Sequence, residues 1–179
     1  MVRCFIALDL SREAINEIKG IQDLIRKKTL ALGKYTDPEN LHLTLKFLGE
    51  IDEGTVENVK KRLNDVKINC LDAEIGEIGI FSRKFPKIVW VKLKGKGIFD
   101  LQKEIDSRLN DLFKSEGRFM SHITIARVRN IGDKKDFLEY LESIKPSRIK
   151  FKVDRFFLKK SELKPDGPVY TDMEEYKFN

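Results

Sequence analysis

A strand-like run opening on histidine occurs twice in this chain, as His42-Leu-Thr44-Leu and as His122-Ile-Thr124-Ile, 80 residues apart. Around each copy the same order of elements can be read. Ile15, Ile18, Ile21, Leu24 and Ile25 recur at helical spacing behind Ser11, a helix-capping residue, through about residue 28. After the polar turn "TDPEN" comes the first His-Thr strand, ended by Gly49, then a helix marked by Val56, Val59, Leu63 and Val66. Two strand-like runs follow, "LDAEIGEIGIF" and "KIVWVKLKG", punctuated by Gly95 and Gly97. The order then restarts. Ile98, Leu101, Ile105, Leu109 and Leu112 predict a helix, "SHITIARV" is the second His-Thr strand, and Phe137, Leu141 and Ile144 predict another helix. The runs "RIKFKVDRFFLKK" and "GPVYTDMEEYKF" close the chain, and "VRCFIALDL" opens it.

Self-similarity at a fixed offset constrains a fold more than any single element does. Trp90 and Tyr170 keep the same offset as the histidines. The pattern predicts an α+β protein, internally duplicated, with residues 1–179 forming one bilobal domain and the His-Thr strands meeting near a pseudo-two-fold axis. Ordinary alternation of strands and helices without duplication is the competing reading.

Composition excludes several classes. At 41% apolar and 36% charged residues the chain is clear of the disorder signature. No apolar run approaches the ~18 residues of a membrane span. The N-terminal apolar run lacks a small-residue cleavage site, and no CxxC or Cys/His spacing surrounds Cys4 or Cys70, so both read as reduced core residues of a cytoplasmic protein. Lys and Arg total 35 against 29 Asp and Glu, a net charge of +6 that would help attract a polyanion. Richness in lysine and glutamate with only two glutamines, Gln22 and Gln102, equally fits the ion-paired surface of a thermophile.

In a strand, side chains at i and i+2 share a face, so His42 points with Thr44 and His122 with Thr124. Leu43, Leu45 and Phe47 then face the core, as do Ile123 and Ile125. Strict alternation puts Lys46 on the His42 face, as a solvated lysine or one approaching phosphate, and puts Arg127 opposite His122 unless the strand bulges. With 6 threonines in 179 positions, a threonine two residues after both of the only histidines arises by chance on the order of once in a thousand. An imidazole titrates near neutrality, so one histidine can serve as general base and the other, protonated, as general acid. Such a pair on opposite sides of a phosphorus centre could drive an in-line displacement without a metal, the threonine hydroxyls donating to non-bridging oxygens.

"RCFIALDL", "PENLHLTLKFLGEI", "IVWVKL" and "RFMSHITIARV" together resemble the two-histidine (2H) phosphoesterases, and among them the archaeal and bacterial 2′-5′ RNA ligase-like RNA 2′,3′-cyclic phosphodiesterases. The resemblance implies a bilobal LigT-like fold, with antiparallel sheets lining a central cleft and helices outside. It implies hydrolysis of RNA 2′,3′-cyclic phosphate ends to a 2′-phosphate, without cofactor or metal, by a monomer. His42 would be the proton donor to the ribose O3′ and His122 the base that activates water. Thr44 and Thr124 would hold phosphate oxygens, and Arg127 would add a charged contact or else serve in a surface ion pair. Phe5 would stack on a terminal base or else belong to the core. Reversible 2′-5′ joining of tRNA halves would be the same chemistry with a ribose hydroxyl in place of water. Two other classes fit less well: an RNA-binding module with the same cleft and little catalysis, and a zinc protein, for which further ligands are missing from the sequence.

Overall fold

The computed structural model describes residues 1–179. Nine strands and four helices follow in the order β1 (Val2–Asp9), α1 (Arg12–Lys27), β2 (Ala31–Tyr35), β3 (His42–Ile51), α2 (Glu53–Leu63), β4 (Leu71–Ile80), β5 (Ile88–Lys94), α3 (Ile98–Arg108), β6 (His122–Ile131), α4 (Lys134–Ser143), β7 (Lys150–Val153), β8 (Arg155–Lys164) and β9 (Gly167–Lys177). A short 3-10 turn, Pro38–Asn40, precedes β3. Ser11 caps α1 as its sequence predicts, accepting from the Ala14 N–H at 3.2 Å. No helix is long and apolar enough to cross a membrane.

The strands form two antiparallel sheets, ordered β3-β1-β8-β9 and β2-β6-β5-β4-β7. Each sheet combines both halves of the chain. In one, β8 and β9 of the second half complete β1 and β3; in the other, β4 of the first half completes β5 and β6. The orders β3-β1-β8 and β6-β5-β4 correspond, so β1 is the counterpart of β5. The core continues from sheet to helices, with Ile6, Leu43, Val91, Ile123, Ile105 and Phe137 all fully buried.

This topology corrects several expectations. Ala7 pairs with Thr44 as Trp90 pairs with Thr124, so the structural counterpart of Trp90 is Ala7 and its shared offset with Tyr170 is not a symmetry relation. The run around "RIKFKVDRFFLKK" divides at Asp154 into β7 and β8, which enter different sheets. The third helix ends at Arg108, although Leu109 still packs in the core. Strand β2 carries no alternation that would mark it. Both cysteines are free, Cys4 buried as expected but Cys70 exposed, because it lies just outside β4.

The two His-Thr strands share a departure from regular pairing. Along β1–β3 the register runs Ala7–Thr44 and then Ile6–Lys46, leaving Leu45 as an extra residue. Along β5–β6 it runs Trp90–Thr124 and then Val89–Ala126, leaving Ile125 as the extra residue. Each is a bulge one residue after the threonine, and each reverses the alternation beyond it. Lys46 therefore turns into the core, where it is 2% exposed, while Phe47 turns outward at 68%. Both sequence expectations for these two residues are overturned by one inserted residue. In β6 the same reversal buries Ala126 and turns Arg127 to the His122 face.

Candidate active site

The bulged strands converge on a cavity of about 540 Å³ between the sheets. His42, Thr44, His122 and Thr124 all line it, and Arg127 joins them because of the β6 bulge. The side-chain direction that strict alternation forbids to Arg127 is thus supplied by the backbone.

Each imidazole is oriented by a carbonyl two residues before it. His42 Nδ1 lies 2.7 Å from the Asn40 oxygen, and His122 Nδ1 lies 2.8 Å from the Met120 oxygen. A carbonyl can only accept, so Nδ1 carries the hydrogen in both rings and Nε2 is left for chemistry. In His42 that atom is 3.0 Å from Thr44 Oγ1, where the hydroxyl can donate to the lone pair. Burial is the main reason that His42 protonates only near pH 4; the charges of Lys159 and His122 add to the effect, against the Asn40 hydrogen bond. In the free protein His42 is therefore neutral at pH 7.

Aromatic rings pack around both imidazoles. Tyr170 meets His42 edge-on at 5.2 Å between centroids, and Phe81 meets His122 edge-on at 4.9 Å. Phe5 faces the cavity but is only 3% exposed, with its ring 4.9 Å from His42. Its face is taken by the imidazole and Tyr170, so it buttresses His42 and leaves little surface for a base. Phe47, beside it at 6.2 Å, is the ring with a free face, which the sequence reading assigned to the core.

The cavity is electropositive. Arg3, Lys34 and Arg127 line it against a single carboxylate, Asp37. Lys34 is engaged, donating to the Asp166 carbonyl at the tip of the β8–β9 hairpin; Asn40 Nδ2 donates 3.0 Å to the Pro168 oxygen nearby. These contacts tie the hairpin across the cleft. Arg3, Asn40, Phe47 and Tyr170 were all missed by sequence reasoning. Nowhere do three His, Cys, Asp or Glu side chains gather as a metal site would require.

The bulges are held from behind. The Ile125 carbonyl accepts from the Gln22 amide at 2.8 Å and from the Thr36 N–H at 3.0 Å, while Thr36 Oγ1 donates 2.8 Å to the Thr124 carbonyl. Lys46 pairs with Asp106, which also accepts from Gln102 at 2.9 Å and from the Glu116 N–H at 2.8 Å. Lys46 itself donates 2.8 Å to the Lys114 carbonyl, in the segment leading to β6.

A model of the family "LigT like Phosphoesterase" matches this chain twice, over residues 8–91 and 92–170. The chain belongs to that family. The double match coincides with the duplicated bulged strands, one in each matched segment. A Methanocaldococcus jannaschii protein named RNA 2′,3′-cyclic phosphodiesterase is 34% identical over 98% of this chain and 100% of its own. One of the same name from Methanothermobacter thermautotrophicus is 31% identical over 99% of each. Among solved structures, TT0787 of Thermus thermophilus superposes with a TM-score of 0.83 at 26% identity, covering 98% of this chain and 97% of the other. E. coli LigT in apo form gives 0.79 at 22% identity, covering 99% and 98%. The latter similarity establishes the LigT-like fold alone.

Proposed function

We propose that this LigT-like phosphoesterase hydrolyses RNA 2′,3′-cyclic phosphate ends to a 2′-phosphate through its two histidines. The observation that carries the reading is the convergence of two bulged His-Thr strands on one electropositive cavity; the names of the relatives supply the substrate class. His122 Nε2 takes a proton from water as the water oxygen bonds to phosphorus. The bond from phosphorus to O3′ breaks, and His42 Nε2 gives its proton to O3′, leaving a 3′-hydroxyl and a 2′-phosphomonoester. Both Nδ1–H bonds to carbonyls persist throughout. Thr44, Thr124 and Arg127 donate to the non-bridging oxygens.

Because His42 is neutral in the free protein, its donor role requires proton uptake when substrate binds. A phosphodiester anion beside the ring favours the charged form and supplies the reason. With a ribose hydroxyl in place of water the same groups would form a 2′-5′ link, so tRNA halves fit the reading as ligation substrates.

The test is incubation of an oligonucleotide bearing a 2′,3′-cyclic phosphate in EDTA, with the product assigned by phosphorus NMR. A 2′-phosphate product that disappears in His42→Ala and His122→Ala is expected. Full activity in either variant overturns the mechanism, and RNA affinity without turnover makes the protein a binding module instead.

A further inference from the structure

Along the floor of the cleft the side chains of β1 and β3 form an ordered series. His42 and Thr44 come first, opposite Asp9 and Ala7; Phe47 follows, opposite Phe5; Arg3 ends the series. Arg3 is four residues along β1 from Ala7, about 13 Å at ~3.3 Å per residue. Its long stem lets the guanidinium reach back toward the rings. The β1–β8 register ends at Cys4 with Lys160, which brings Arg3 level with Ser161, and Ser161 pairs with Tyr170. Arg3, Ser161 and Tyr170 all line the cavity. No carboxylate lies within ion-pair distance of Arg3; its cross-strand neighbour Glu50 makes no bridge to it and is outside the cavity lining. A hydroxyl pair for one phosphate, an exposed ring, and then an unpartnered cation repeat the order of an RNA 3′ end: cyclic phosphate, nucleoside, next phosphate.

We propose that Arg3, with the Tyr170 hydroxyl, binds the phosphodiester on the 5′ side of the terminal nucleoside, so that the cleft selects RNA ends over mononucleoside cyclic phosphates. This rests on the proposed reaction at the adjacent histidines. Burial raises the Tyr170 pKa despite the opposing charges of Arg127 and Arg3, which keeps the hydroxyl a neutral donor. A charge-assisted contact of this kind corresponds to roughly tenfold or more in affinity.

The experiment compares uridine 2′,3′-cyclic phosphate with the dinucleotide UpU carrying the same cyclic end, in the wild type, Arg3→Gln and Arg3→Lys. The wild type should favour the dinucleotide. Arg3→Gln should raise the dinucleotide KM about tenfold with kcat retained, and change uridine 2′,3′-cyclic phosphate turnover by less than about twofold. Arg3→Lys should recover part of the loss, and the salt dependence of dinucleotide binding should weaken by about one phosphate contact in Arg3→Gln. Equal losses on both substrates, or no loss on either, would overturn the subsite. If the wild type turns over neither substrate, the proposed reaction fails instead. Binding of UpU bearing a 3′-phosphate then decides the subsite alone: unchanged affinity and salt slope in Arg3→Gln overturns it, and a loss of both upholds it.

Discussion

After the bulge in β3 the core receives Lys46; after the same bulge in β6 it receives Ala126. An alanine there needs no partner, whereas a buried ammonium needs an anion and a full set of acceptors. Asp106 and the Lys114 carbonyl provide these, and Asp106 in turn depends on Gln102 and the Glu116 N–H. In the other half the bulge itself is secured, by Gln22 and Thr36 on the Ile125 carbonyl. The backbone geometry that presents imidazole and hydroxyl is thus common to both halves, while the chemistry that fixes it differs. The two halves agree at the face that lines the cavity and differ behind it.

If the reacting face is equivalent in the two halves, the histidines should be equally indispensable. His42→Ala and His122→Ala should each lower kcat on a cyclic-phosphate RNA end by about 10²- to 10⁴-fold, measured in single-turnover assays. A much larger loss at one than at the other would break the equivalence.

The supporting layers should respond unequally. Lys46→Ala leaves the Asp106 carboxylate buried without its cation, and urea denaturation should show a loss of about 3–5 kcal/mol. The double variant Lys46→Met/Asp106→Leu should recover only part of it, because the apolar pair removes both charges' desolvation costs but leaves the Gln102 amide, the Glu116 N–H and the Lys114 carbonyl without their partners. Asp106 adds its own signature. Burial raises its pKa, but the hydrogen bonds from Lys46, the Glu116 N–H and Gln102 prevail, so the folded value is lowered. Its stabilisation is therefore present above the ordinary carboxylate range and lost as pH falls through the depressed folded value. Gln22→Leu removes amide donors from the Thr36 and Ile125 carbonyls, at 2.8 Å each, but the Thr36 N–H still serves Ile125. The expected loss is about 1–3 kcal/mol, with a fall in activity from the loosened Thr124. If Gln22→Leu costs more than Lys46→Ala, the contrast between the halves is reversed.

Much of this was legible from residues alone. Alternation holds from His42 to Leu45 and from His122 to Ile125, so the inward apolar side chains and the outward His-Thr pairs follow from period two. The next residue fails in both strands, because a bulge is defined against its partner strand and leaves no mark on local composition. That is why Lys46 and Phe47 were assigned to the wrong faces and Arg127 required a special condition. Arg3 and Tyr170, 167 positions apart in sequence, come together through the long-range pairing of β1 with β8 and the hairpin of β8 with β9. No periodicity reports such a contact. Of the two glutamines, Gln22 bonds the bulge of β6 directly, and Gln102 supports the bulged β3 only through Asp106, the partner of Lys46.

His42 can also be followed by proton linkage, the smallest effect per unit change in condition. Histidine in an unfolded chain protonates near pH 6.5, whereas burial holds His42 at about 4 in the folded protein. Between those values the unfolded chain binds more protons, so the contribution to stability is complete above pH ~6.5 and declines as pH falls, by at most ~1.4 kcal/mol per unit. Urea midpoints at pH 7, 5.5 and 4.5 should therefore diverge between wild type and His42→Gln, the variant losing less on acidification. Inorganic phosphate in the cleft should shrink the difference, since an anion beside the ring raises its folded pKa. Parallel wild-type and variant curves would mean that folding leaves the His42 pKa unshifted; a wild type that loses less than the variant on acidification would mean that the folded pKa is raised, and that the proton proposed for O3′ is held before the substrate arrives rather than taken up with it.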